Sequence, residues 1–124
     1  MTAAPTAPAG LSVADVLDRA ADLIEPEGRW TQGAYASDKR NDSVDTLDPR
    51  ADCFCAMGAV YRAAGASSIY KNGPIGLVHE VREHLLKMLG NSMASFNDAP
   101  DRKQSEVVAA LRSAAEAARA QVQG

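Results

Sequence analysis

Histidine and glutamate side chains cluster in one short segment, HEVREH, which runs from His79 to His84. A zinc protease needs two histidines four residues apart on one face of a helix, with the glutamate as the base. Here the two histidines are five residues apart, which places them about 140° apart around a helix. Glu80 and Glu83 are spaced from the histidines as ordinary surface helix pairs. We therefore predict no metal site and no catalytic residue in this segment.

Two cysteines, Cys53 and Cys55, are the candidates for nucleophilic or redox chemistry. We predict that both lie in a helix, where residues at i and i+2 point to nearly opposite sides and cannot form a disulfide with each other. Cys55 lies in an apolar segment, where a free cysteine behaves as a small hydrophobic residue. Two cysteines without a secretion signal predict a reducing, cytoplasmic location. We predict no cofactor, because the nine glycines are scattered and none forms a phosphate-binding series.

Aromatic, amide and carboxylate side chains in two segments are the candidates for binding. WTQGAY places Trp30 and Gln32 on the same side of an extended strand, and a lone tryptophan is typically a core anchor. FNDAP places Asn97 and Asp98 next to each other, where such side chains make turns or helix caps. We favour a structural joint between two helices for the second segment. The alternative is a ligand pocket, for which these side chains would have to converge on a concave site: Trp30, Gln32, Cys55, Asn97 and Asp98.

The first helix that would position these residues has clear start and stop signals. Ser12 is the predicted N-cap, with Asp15 in a capping-box position, and apolar residues recur at helical spacing up to Ile24. Glu25–Gly28 ends the helix. Acidic side chains concentrate on this helix, and a solvated face is the favoured interpretation over a basic partner.

The remaining elements follow from periodicity and from glycine and proline positions. Residues 29–47 are predicted to form a β-hairpin in which WTQGAY pairs with SVDTL. A second helix is predicted from Pro49 to Ala64, with Gly58 marking a close helix crossing. A third opens at Pro74 and ends at Gly90, and a last one begins between residues 101 and 105.

Length and charge limit the classes of function. The 124 residues predict one domain, residues 11–124, preceded by a disordered tail, residues 1–10, that has no large apolar side chain apart from Met1. The net charge is −3, the pI is about 5.3, and Lys and Arg are not clustered, so we predict no nucleic-acid partner. No segment approaches the ~20 apolar residues of a membrane span, so we predict no membrane association.

Three segments carry a resemblance to a known family. They are WTQGAYA, CAMGA and SMASFNDAPDRKQSEVVAALRSAA. Together they resemble an uncharacterised family of small helical proteins from actinobacteria, other high-GC bacteria and their phages, over most of residues 12–115. That family usually has tryptophan at the position of Phe96 and often threonine at the position of Lys103, so this chain departs from it at two places. The resemblance implies a fold and a phage or mobile-element context, but no substrate.

The predicted fold is mainly α, with four helices around one core and a short β-hairpin or extended segment between the first two. We predict a small accessory protein, not an enzyme, that works by binding another protein of host or phage origin. The alternatives are a small-ligand binder or enzyme that uses the pocket described above, and a component of the phage virion. The sequence selects neither the partner nor an oligomeric state.

Overall fold

The structure, a computed structural model, describes residues 10–123. Within that range the chain forms five helices and a small antiparallel sheet: α1 (Val13–Ile24), β1 (Ala36–Ser37), β2 (Cys53–Phe54), α2 (Ala56–Ala64), α3 (Ile75–Leu89), α4 (Met93–Asp98) and α5 (Gln104–Gln123). The mainly helical class and the sheet between α1 and α2 are confirmed. The count of four helices is wrong, because the segment after α3 forms the additional helix α4. The predicted disordered tail lies outside the described residues, except for Gly10.

Helix α1 begins as predicted, with a capping box. The Ser12 hydroxyl accepts a hydrogen bond from the backbone N–H of Asp15 at 3.1 Å, and the Asp15 carboxylate accepts one from the backbone N–H of Ser12 at 3.2 Å. Two donors at the start of the helix are thereby satisfied. These bonds to Ser12 lower the pKa of Asp15. The apolar stripe of α1 is buried in the core: Val16, Leu17, Ala20, Ala21 and Ile24.

The acidic face of α1 pairs with α5. Arg112 lies 2.7 Å from the Asp22 carboxylate and 3.0 Å from that of Glu25, and Arg119 lies 2.6 Å from the Asp18 carboxylate. The acidic face of α1 was predicted to be solvated, but it pairs with basic side chains of α5 in the same chain. These partly exposed pairs join the first and last helices.

The sheet uses a different return strand from the predicted one. β1 pairs antiparallel with β2, so that Ala36 lies opposite Phe54 and Ser37 opposite Cys53. Of the predicted hairpin strands, Trp30 makes one isolated bridge to Phe54 and Ser43 one to Ser37. The SVDTL segment therefore meets β1 at the Ser43 bridge and through Val44 N–H, which donates to Ala36 O at 3.0 Å, but the strand paired with β1 is β2. The chain between β1 and β2 instead makes a wide excursion through polar turns.

Helix α2 begins at Ala56 and not at Pro49, as predicted. The Asp48 carboxylate accepts hydrogen bonds from the backbone N–H and guanidinium of Arg50, and so closes a turn in place of capping a helix. The backbone N–H of Asp52 donates to Ser37 O at 2.8 Å, which directs the following residues into the sheet. The end of α2 is as predicted, because Gly65 takes a left-handed conformation with φ of 80°.

The last three helices pack against the first two: α5 against α1, α4 against α2, and α3 against both. Pro74 precedes α3 and Gly90 ends it, as predicted. Ser92 caps α4 by accepting a hydrogen bond from Ser95 N–H. At the start of α5 the Gln104 side-chain amide donates to the carbonyl oxygens of Ile24 and Pro26. That amide therefore ties the start of the last helix to the end of the first.

Candidate functional site

Asn97, at the end of α4, is the centre of a buried hydrogen-bond network that joins three distant segments. Only 1% of the residue is exposed. Its Oδ1 accepts from Trp30 Nε1 at 2.7 Å and from the backbone N–H of Ala56 at 3.0 Å. Its Nδ2 donates to Thr31 O at 3.2 Å and to Asp98 Oδ1 at 2.9 Å. Both lone pairs and both protons of the amide are therefore used inside the protein.

The neighbours of Asn97 extend this network along the WTQG segment. Gln32 Nε2 donates to the carbonyl oxygens of Asn97 at 2.9 Å and Ala99 at 3.0 Å. Asp98 Oδ1 accepts from the backbone N–H of Gly33 at 3.1 Å. We call this set the Asn97 network: Trp30, Thr31, Gln32, Gly33, Ala56, Asn97 and Asp98. Four predicted binding residues thus converge, but their polar groups bind one another and the backbone.

The joint between helices is built differently from the predicted one. In the predicted joint, Asn97 or Asp98 would bond groups at the start of the last helix. They occupy the last turn of α4 and bond backward, to the 30–33 segment and to the first residue of α2. The physical reason is that α4 is long enough to bury the Asn97 amide against α2, whose first N–H has no intrahelical acceptor. The joint therefore links α4 to α2 and not α4 to α5.

A small cavity of about 180 Å³ lies beside the Asn97 network. Cys55, Asn97 and Asp98 line it together with Gly33 and Met57, whereas Trp30 and Gln32 do not. Three of the five residues proposed for a ligand pocket therefore share a cavity. Its volume is below the usual range of small-molecule sites, which begins near 300 Å³.

Cys55 is the N-cap of α2 and not a residue within the helix. Its Sγ accepts a hydrogen bond from Gly58 N–H at 3.3 Å. Burial raises the pKa of the Cys55 thiol, although hydrogen bonds from the backbone act in the opposite direction. A buried thiol with a raised pKa is a poor nucleophile near neutral pH.

Gly58 allows the WTQGAYA segment to lie directly on α2. A Cβ at this position would lie 1.7 Å from the carbonyl oxygen of Tyr35. That oxygen also accepts a hydrogen bond from Cys55 N–H at 3.2 Å. The predicted close approach at Gly58 exists, but the partner is the backbone just before β1 and not a second helix.

The two histidines of HEVREH, both on α3, lie in different environments. His84 Nε2 lies 2.8 Å from the carbonyl oxygen of Ala114 on α5, and His79 is exposed. Both line an open groove of about 630 Å³ between α1, α3 and α5. Among residues 10–123, no group of three or more His, Cys, Asp or Glu side chains is arranged to hold a metal ion.

A second cluster of functional groups surrounds the Tyr61 hydroxyl on α2. Lys71 Nζ lies 3.3 Å and Arg82 Nη2 lies 3.1 Å from this oxygen. The Tyr35 ring packs against the Tyr61 ring with centroids 5.3 Å apart, and Lys71 Nζ lies 5.2 Å from the Tyr35 centroid. We call Tyr35, Tyr61, Lys71 and Arg82 the Tyr61 cluster. Burial would raise the pKa of Tyr61, but hydrogen bonds and charge from Arg82 and Lys71 outweigh burial and lower it.

Asp45 accepts hydrogen bonds from the loop that carries Lys71. Asp45 Oδ1 accepts from the Ser67 hydroxyl at 2.7 Å and from Ile69 N–H at 2.9 Å. Thr46 adds a hydrogen bond from its hydroxyl to Ala66 O at 2.8 Å. Burial raises the pKa of Asp45, but its hydrogen bonds dominate and the pKa is lowered. The loop of residues 66–71 is therefore a defined structure.

Two side chains of this loop, those of Ile69 and Tyr70, are exposed to solvent. Ile69 is 59% exposed and Tyr70 is 75% exposed. Lys71 has a left-handed backbone with φ of 57°, a conformation that costs a non-glycine residue free energy. Ile69 and Tyr70 are thus exposed apolar side chains that directly precede Lys71 of the Tyr61 cluster in sequence.

Comparison with known proteins identifies the family. The model of the family of unknown function DUF6197 matches residues 8–117. The chain belongs to this family. No curated protein and no solved structure matches the chain. The matched range includes both the Asn97 network and the Tyr61 cluster.

Sequence reasoning in this family member missed the Tyr61 cluster. Neither the helical periodicity nor the turn signals single out Tyr61, Lys71 or Arg82 as functional residues. Their signal is weak because Tyr61, Lys71 and Arg82 come from two helices and a loop, with no common period. One clue was available: a buried tyrosine needs a partner for its hydroxyl. In the described range, no helix is long and apolar enough to cross a membrane.

Proposed function

We propose that this DUF6197 member is a small, non-enzymatic accessory protein that binds an acidic segment of another protein. The proposed contact surface is formed by the loop of residues 66–71 and the Tyr61 cluster. One observation carries the proposal: the exposed side chains of Ile69 and Tyr70 lie in sequence next to Lys71, which shares an acceptor with Arg82. Tyrosine and arginine are enriched in protein interfaces.

Charge supports an acidic partner. Arg112 and Arg119 are paired with carboxylates of α1. In the part of the chain that the structure describes, Lys71 and Arg82 form no such pair, and the hydroxyl of Tyr61 is the acceptor that they share. A partner carboxylate would supply the missing negative charge. The same contrast argues against the acidic face of α1 as the contact surface, since its carboxylates already bind α5.

Binding of a defined peptide tests this function. The probe is a fluorescein-labelled peptide of alternating Glu and Leu, and the control peptide has Lys in place of Glu. Saturable binding of the acidic peptide alone, weakened in Tyr70→Ala and unchanged in Met88→Ala, is the expected result. Met88 is a matched control because it is 45% exposed and belongs to α3, not to the loop of residues 66–71. Equal binding of both peptides, or equal loss in both variants, would overturn the proposal.

A small-ligand function is the second candidate, and the 180 Å³ cavity beside Cys55 and Asp98 favours it. Small fragments that bind there would shift the methyl signals of Ala34 and Met57, which also line the cavity. The proposal requires that these shifts saturate and that Met57→Leu alters them. A fragment set that leaves both methyl signals unmoved would exclude the cavity as a binding site.

The biological context belongs to the same proposal. The three segments that resemble actinobacterial and phage proteins support a phage or mobile-element origin, with the protein acting in the host cytoplasm. A virion component is the alternative. Mass spectrometry of purified phage particles separates the two, because an accessory protein is depleted from particles and a virion component is retained at fixed stoichiometry.

A further inference from the structure

The hydroxyl of Tyr61 has an unusual set of hydrogen-bond partners. It accepts from two cations, Lys71 Nζ at 3.3 Å and Arg82 Nη2 at 3.1 Å. A phenol oxygen in this position still carries one proton to donate, and both cations retain further N–H donors. In the described range, no acceptor receives that proton and no carboxylate lies within salt-bridge distance of either cation. The site is therefore rich in donors and poor in acceptors.

Two positive charges that share one neutral oxygen repel each other. The repulsion is relieved by an anion placed between them, which also accepts the free O–H proton. Arg112, which is also partly exposed, shows such a solution, because it binds the Asp22 and Glu25 carboxylates. The Tyr61 cluster has the donors of such a site without the carboxylate.

We propose that Tyr61, Lys71 and Arg82 form an oxyanion site for one carboxylate group of the partner's acidic segment. Arg82 and Lys71 would each donate one charge-assisted hydrogen bond to the carboxylate, and the Tyr61 hydroxyl would donate a third. The Tyr35 ring packs on Tyr61, and the exposed Tyr70 and Ile69 precede Lys71 in the loop. This inference rests on the proposed function and names the group that the surface recognises.

The conformation of Lys71 supports a binding role. Its left-handed φ of 57° is cheap for glycine and costly for lysine. A glycine would close this turn with less strain, so the lysine side chain provides something that the turn itself does not need. The hydrogen bond to Tyr61 and the position over both aromatic rings are what it provides.

The test titrates the full chain with sodium acetate against sodium chloride at constant ionic strength. The readout is the Nε–Hε signal of Arg82 in nitrogen-correlated NMR spectra, assigned by its loss in Arg82→Gln. Saturable shifts of this signal with acetate, and not with chloride, are the expected result. Tyr61→Phe and Lys71→Gln each remove one charge-assisted hydrogen bond and should weaken acetate binding by about tenfold. Lys87→Gln removes the same charge elsewhere on α3 and should leave it unchanged.

Three results would overturn the oxyanion site. One is a shift that grows linearly without saturation. Another is an equal loss of binding in Lys87→Gln, which would mark general charge screening. The third is saturation by inorganic phosphate but not by acetate, which would replace the carboxylate with a phosphate group. The amide spectrum of each variant is checked first, so that a misfolded variant is not mistaken for one that has lost the site. Tyr61→Phe and Lys71→Gln then test the site independently of Arg82→Gln.

The oxyanion site and the proposed function fail in distinguishable ways. Acidic-peptide binding that survives in Arg82→Gln, with no acetate binding, would overturn the site and leave the function. Acetate binding at Arg82 without any peptide binding would overturn the protein-binding function. Acetate and peptide that compete, and that are both weakened in Arg82→Gln, would support both.

Discussion

The Asn97 network and the Tyr61 cluster are both built from polar and aromatic side chains that meet on α2, but they are opposite in one respect. Asn97 uses every donor and acceptor of its amide within the protein. Tyr61 receives two cations and has no acceptor for its own proton among the described residues. The first region is complete by itself, whereas the second becomes complete when an anion binds.

That difference separates residues kept for folding from residues available for binding. A buried polar group that is fully hydrogen-bonded fixes one arrangement of the elements around it. Asn97 fixes α4 against α2 and the 30–33 segment in this way. The Tyr61 cluster instead has a hydroxyl proton and cationic N–H groups without acceptors among the described residues, so these groups are available to a partner. The two regions should therefore respond differently to substitution.

Gly58→Ala should have the largest effect, because it breaks the support of the Asn97 network. The new Cβ would lie 1.7 Å from the backbone oxygen of Tyr35. Because a backbone atom cannot rotate away as a flexible side chain can, the WTQGAYA segment must move away from α2. We expect a loss of about 4 kcal/mol in the free energy of unfolding, measured by urea denaturation.

Gly76→Ala is the matched control for that experiment. Gly76 lies in α3 with no heavy atom near an added Cβ, so this variant should gain up to about 1 kcal/mol from helix propensity. If Gly58→Ala is as stable as the parent, the 33–36 segment does not rest on α2, and this contact does not support the Asn97 network.

Asn97→Ala should cost roughly 3 kcal/mol, because it leaves the Trp30 indole N–H, the Ala56 N–H and the Thr31 carbonyl without partners. A thermal melt should show a decrease of about 10 °C or more. The emission of Trp30, the only tryptophan, should change in the folded state as well. Asn72→Ala, at an exposed turn position, is the control and should melt near the parent. Parent-like stability of Asn97→Ala would show that the network is dispensable for folding.

Local signals were enough to predict much of the fold. The Ser12 cap, Gly65, Pro74 and Gly90 each act within a few residues, and all four were placed correctly. The start of α2 was not, because Asp48-Pro49 has the composition of a helix start, while the hydrogen bond from Asp52 to Ser37 that overrides it joins residues far apart in sequence. The same limit applies to the site. Trp30, Gln32, Asn97 and Asp98 were singled out by type, but their mutual bonds span more than 60 residues.

Asp45→Asn tests the support of the loop of residues 66–71 and should have an intermediate effect. The hydrogen bonds to Asp45 lower its pKa in the folded state, so they stabilise the fold above the unfolded-state pKa, near 3.9, and are lost as the pH falls through the folded value. We expect Asn at this position to cost about 1–2 kcal/mol at pH 7. The gap between parent and variant in denaturation experiments should shrink toward pH 3. A gap of constant size between parent and Asp45→Asn across this pH range would contradict the assignment.

Arg82→Gln should have the smallest effect on stability, and its contrast with Arg112→Gln sharpens the comparison most directly. Both substitutions remove a guanidinium that is partly exposed on a helix. Arg112 binds two carboxylates of α1, so its loss should cost up to about 1 kcal/mol at low salt. Arg82 shares a phenol oxygen with Lys71, so removing it also removes repulsion between two cations, and the net change should lie within about 0.5 kcal/mol. Urea denaturation at low and high salt measures both. If Arg82→Gln keeps the parent's free energy of unfolding but loses acetate binding, this arginine is kept for a ligand. If it loses as much stability as Arg112→Gln, the Tyr61 cluster is part of the fold, as the Asn97 network is.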